Sequence, residues 1–83
     1  MAPQKARVIP LASVDRIFTN ARTLPVDGEA VKELGQMLEE IAMEIVKTAV
    51  VVTQYAGRKT VMGSDIIFAF EQWSKKNAKI FDG

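Results

Sequence analysis

The sequence predicts an all-α protein of three helices, short, long and short. Apolar residues recur every three or four positions in three separate stretches, the period of one helix face. Pro25 and Gly57 interrupt those stretches where helices stop. The middle stretch continues unbroken for about eight turns.

In the first stretch Leu11, Val14, Ile17, Phe18 and Ala21 share a face. Pro10 suits the entry, because the N–H it lacks would go unpaired there. Pro25 disfavours helix at the residue before it. Asp27 then offers a carboxylate to the free N–H groups of a new first turn, and Glu29 adds favourable charge at the positive helix end. Val31, Leu34, Leu38, Ile41, Ile45, Ala49, Val52 and Ala56 carry the seam of a helix over 28–56, roughly 43 Å long. Gly57 fits the residue after its end. The next segment, 57–61, reads as a short loop, and Gly63, Ser64 and Asp65 signal a third helix whose apolar face is Ile66, Ala69, Phe70 and Trp73. From Ser74 the chain turns polar and basic, with Ile80 and Phe81 as a small apolar end. Phe70 and Trp73 are read as packing residues.

At 83 residues the chain is one small domain. It buries only about 60% of the surface its unfolded form exposes. Chains of this size lean on disulfides, metals or partner chains. With no cysteine and no histidine, thiol chemistry, the commonest metal ligands and the commonest general base are missing. No metal or cofactor site is expected. An enzyme is disfavoured further by the want of a glycine-rich phosphate loop; the paired acids Glu39 and Glu40 read as exposed helix carboxylates. A partner chain is the remaining support. Met37, Ile41, Met43, Val46, Val50 and Val51 lie partly off the main seam, and exposed apolar surface on that scale marks an interaction site. Two copies crossing at their long helices would cover it; the alternative is that Val50 to Val52 form a β-branched core patch of a monomeric bundle.

The net charge of +1 says little by itself. Its distribution says more. Residues 27–44 hold six acids and one base, residues 45–63 hold three bases and no acid, and residues 1–22 hold four bases and one acid. Such segregation can build a phosphate-binding surface; it also fits a solvated acidic helix face with ordinary loop charges. No secretory signal is visible, and Ala49 to Val52 falls far short of the roughly 20 apolar residues of a membrane span. An intracellular protein is the expectation.

Ala56-Gly57-Arg58-Lys59-Thr60-Val61 followed by Asp65-Ile66 resembles the second-loop signature of the histone fold, and specifically of archaeal histones. Ile9-Pro10-Leu11-Ala12 and Val14-Asp15-Arg16-Ile17 resemble that family's first helix; Leu38-Glu39-Glu40-Ile41 and Glu44-Ile45 resemble its central one. The resemblance covers roughly residues 9–73. It divides the chain into a basic arm at 1–8, a histone-fold domain at 9–76 and a tail at 77–83.

The resemblance implies a handshake dimer that bends and compacts double-stranded DNA without reading its sequence, in the cytoplasm on the chromosome. A homodimer is the expected form; a heterodimer with a paralogue, and a tetramer or filament on DNA, stay open. In such a dimer the first loop of one chain lies beside the second loop of the other, with helix N-termini turned toward phosphates. The family's arginine at the position of Arg16 enters the minor groove, supported by the threonine at Thr60, while Arg58 and Lys59 add charge. Arg16 read alone would be a surface residue pairing with Asp15 or another acid. Lys5, Arg7 and Arg22 are further candidate DNA contacts. The family's counterparts of Arg58 and Asp65 form an ion pair that fixes the loop. Where many members place a dimer–dimer histidine this chain has Tyr55, with Asp65, Val52 and Phe68 at the other positions of that contact.

Departures from the family pattern predict weaker DNA binding with a shallower salt slope. Pro25 and Met62 stand where loop cations are usual, and Thr19, Met43, Gln54, Glu71 and Gln72 stand at positions often basic. They also support a second reading, a histone-fold adaptor for protein pairing, as in transcription-factor subunits.

Overall fold

A computed structural model describes residues 8–21 and 24–78 of the chain. Lys5, Arg7, Arg22 and residues 79–83 lie outside that set. The described residues form α1 (Leu11–Ala21), α2 (Gly28–Tyr55) and α3 (Gly63–Lys76), in the expected order of lengths. No helix is long and apolar enough to cross a membrane, among the described residues. The chain divides into two compact units, Met1–Glu40 and Ile41–Gly83, which part within α2.

In the first unit the Pro10 carbonyl accepts from Ser13 N–H at 3.0 Å and Val14 N–H at 3.3 Å, so α1 begins just after the proline. Of its apolar face, Val14 is fully buried and Phe18 half-buried, while Leu11 and Ile17 stay open. The Asp27 carboxylate accepts from Ala30 N–H at 2.9 Å and caps α2. Val31 is the other buried apolar residue of this unit.

Along α2 the seam follows the sequence pattern. Val31 and Ala49 are buried, and Leu34, Leu38, Ile41, Ile45 and Val52 are half-buried. Off the seam Met37, Met43, Val46 and Val51 are exposed. Ala56 is exposed and just past the helix, which ends at Tyr55, one residue short of expectation.

In the second unit Ala49 and Ala69 are the buried apolar residues. α3 runs on through Ser74 to Lys76, beyond its last apolar residue, Trp73. Lys75 and Lys76 stand in its last turn, where cations suit the negative helix end, and Asn77 closes it by donating to the Trp73 carbonyl. Phe70 and Trp73 stack one turn apart, with ring centroids 6.2 Å apart. Phe70 nevertheless remains about half exposed.

Candidate nucleic-acid interface

The second loop is built around one carboxylate. α2 ends in a two-bond stop: Gly57 N–H donates to the Gln54 carbonyl at 2.9 Å, and Arg58 N–H donates to the Thr53 carbonyl at 3.0 Å. This turn requires a left-handed residue, and Gly57 supplies it with φ of 77°. The chain then leaves α2 with the Arg58 side chain directed toward the start of α3.

There Asp65, only 2% exposed, gathers four donors. Arg58 grips it with both terminal nitrogens, each at 2.7 Å. Met62 N–H donates to it at 2.8 Å, capping the first turn of α3. Thr53 Oγ1 lies 2.7 Å from its Oδ2 and 2.8 Å from the Ala49 carbonyl. A hydroxyl carries one proton, and the charged oxygen is the stronger acceptor. Together these donors hold the Asp65 carboxyl well below the ordinary carboxylate value: the Arg58 hydrogen bonds do most, then those of Met62 and Thr53, against the opposing cost of burial. The same pairing raises the Arg58 guanidinium further above its already high value.

Arg58 also donates to the Thr60 carbonyl at 3.3 Å, so its guanidinium ties the loop at both ends. Lys59 and Thr60 stand exposed between them. Arg16 is exposed on α1 and forms no ion pair with a described residue, unlike the pairing with Asp15 that the sequence also allowed. Tyr55 is 94% exposed at the end of α2; Phe68 is exposed and Val52 half-buried.

The family model described as histone-like transcription factor (CBF/NF-Y) and archaeal histone matches residues 7–70. The chain belongs to this family. It is 39% identical over 61 residues to the archaeal histone HAN1 of Thermococcus zilligii, covering 74% of this chain and 91% of that one. It is 38% identical over 58 residues to probable archaeal histone 3 of Methanocaldococcus jannaschii, covering 70% of this chain and 87% of that one. Its three helices are those of the histone fold, whose standard assembly is the handshake dimer. The general function of this histone-fold family is architectural DNA binding and not enzymatic catalysis. The last residues of α3 lie beyond the matched segment.

Two parts of this histone-fold chain escaped the sequence reading. Thr53 looked like one more residue of an apolar run, yet its hydroxyl is buried against Asp65. The available signal was its place four residues after Ala49 on the seam, where a polar side chain needs a partner. Glu39, read as an exposed helix acid, is half-buried and accepts two backbone N–H groups, from Val8 at 2.9 Å and Ile9 at 2.8 Å. Nothing in its spacing announces that contact, because the partners are backbone groups some thirty residues away.

Proposed function

We propose that a homodimer of this chain binds duplex DNA without reading base sequence and compacts it on the chromosome. The histone-fold domain of 9–76 forms the dimer, and the arm at 1–8 adds cations; the tail at 77–83 is assigned no contact. The observation that carries this reading is the second loop. Its backbone is tied by Arg58 to Asp65 and to Thr60, and Lys59 and Thr60 are exposed between those ties. A loop fixed in this way presents its N–H groups and its cation to phosphate without ordering cost on binding.

Pairing sets the second loop of one chain against the first loop of its partner, and it covers exposed apolar residues of α2 such as Met37, Met43 and Val46. Arg16 enters the minor groove, where arginine senses width and potential and not base identity, and Thr60 supports it. Lys59 meets phosphate, joined by Lys5, Arg7 and Arg22. Arg58 contributes chiefly by positioning, since both terminal nitrogens are held by Asp65; the exposed part of its side chain, 39%, leaves room for a phosphate alongside. Stacking of dimers rests on Tyr55, with Val52 and Phe68 beside it. Asp65 enters that contact less readily, being buried and already saturated with donors.

A salt titration on random-sequence duplex of about 60 base pairs, roughly twice what one dimer would cover, tests this. The Arg16→Ala, Lys59→Ala double variant is expected to lose roughly tenfold or more in affinity while light scattering still reports a dimer. Equal affinity would sink the residue assignment. Absence of wild-type binding even at low salt would leave the adaptor reading, to which the lost basic positions point.

A further inference from the structure

We propose that Glu39 is the anchor that positions the basic N-terminal arm for DNA; this rests on the DNA-binding function proposed for the dimer. The carboxylate of Glu39, in the first half of α2, accepts Val8 N–H and Ile9 N–H on the same oxygen, Oε2, at 2.9 and 2.8 Å. Consecutive backbone N–H groups converging on one anionic oxygen form a strong, directional clamp.

Apolar burial contributes little to holding this segment, because the Val8 side chain is 81% exposed. Pro10 has no N–H, and its carbonyl is used to start α1. The backbone just before α1 is therefore fixed by α1 on one side and by Glu39 on the other.

Arg7 and Lys5 come one and three residues before Val8. At no more than about 3.6 Å per residue, the Lys5 backbone stays within roughly 11 Å of the clamp. Two cations tethered so closely act on phosphate at high effective concentration. A free arm would lose that advantage to ordering. Glu39 thus aids DNA binding although its own charge opposes it, and that opposition gives the test its sign. Removing an acid from a DNA-binding protein should tighten binding on charge grounds alone. Removing an anchor should weaken it.

The test compares Glu39→Ala with Glu39→Gln, each in the wild-type chain and in a Lys5→Gln, Arg7→Gln background, by titration of random-sequence duplex at fixed salt. Gln keeps a carbonyl acceptor and drops the charge; Ala drops both. Glu39→Ala is expected to weaken binding about threefold or more with the native arm, and to cause no loss when the arm is neutral. Glu39→Gln is expected to bind at least as well as wild type. Equal or tighter binding by Glu39→Ala, equal losses in both backgrounds, or a loss in Glu39→Gln as large as in Glu39→Ala would each overturn the anchor. Hydrogen exchange on the DNA-free protein gives an independent readout. The Val8 and Ile9 amides should be protected in wild type and exposed to exchange in Glu39→Ala, and their rapid exchange in wild type overturns the anchor without reference to DNA. A wild type that binds no duplex overturns the functional reading itself, and protected amides then distinguish that failure from failure of the clamp.

Discussion

The two interhelical loops of this histone-fold chain are built by different means. Between α1 and α2, Leu24 to Asp27 relies on proline and a single capping carboxylate, and Leu24 is 83% exposed. Between α2 and α3, a left-handed glycine, a two-bond helix stop and a buried carboxylate with four donors fix residues 56–62. The first loop is steered by local stiffness. The second is cross-braced through side chains from α2, the loop and α3. Cross-bracing costs the burial of a charge, and it is stable only while every partner is present. A loop that must offer Lys59 and Thr60 in one geometry gains from that rigidity.

Asp65→Ala breaks this contrast most severely. It removes the acceptor for Arg58, Met62 and Thr53 together and should lower the thermal midpoint by roughly 10 °C or more at fixed protein concentration. Acid unfolding carries the same signature. Because the folded carboxyl is held below its ordinary value of 3.8, its contribution is fully present above that pH. It is lost as the pH falls toward the depressed folded value, so wild type should lose stability below about pH 4. A melt series across that range should show this component in wild type and not in Asp65→Ala.

Glycine substitution sharpens the comparison with a change of sign. No heavy atom would lie within 4 Å of a Cβ at Gly57, so Gly57→Ala meets only the backbone cost of φ 77°, about 1–2 kcal/mol of destabilisation. Gly28, at the first residue of α2, is equally open and has no positive φ. Gly28→Ala should therefore stabilise by about 0.4–1 kcal/mol, the smallest effect of the set. Chemical denaturation of both variants at one dimer concentration checks the pair.

Much of the fold was legible because its signals are local. The three-and-four spacing located α1 and α2, Asp27 and Gly57 marked ends, and the seam from Val31 to Val52 matched the half-buried and buried positions. The end of α3 was less legible: its last turn has no apolar residue after Trp73, and the helix is continued by backbone bonds and closed by Asn77. At the site, Gly57-Arg58-Lys59-Thr60 and Asp65 stood out as a pattern, whereas Thr53 was hidden in an apolar run and Glu39 in a row of helix acids.

The sequence by itself determined helix order, helix ends, apolar seams and family, since each depends on periodicity and on residues close along the chain. Tertiary structure alone decided which polar groups meet: that Thr53 turns its hydroxyl to Asp65, and that one oxygen of Glu39 accepts the backbone ahead of α1. Hydrogen bonds are short-ranged and directional, so their partners are chosen only after packing has brought distant segments within about 3 Å.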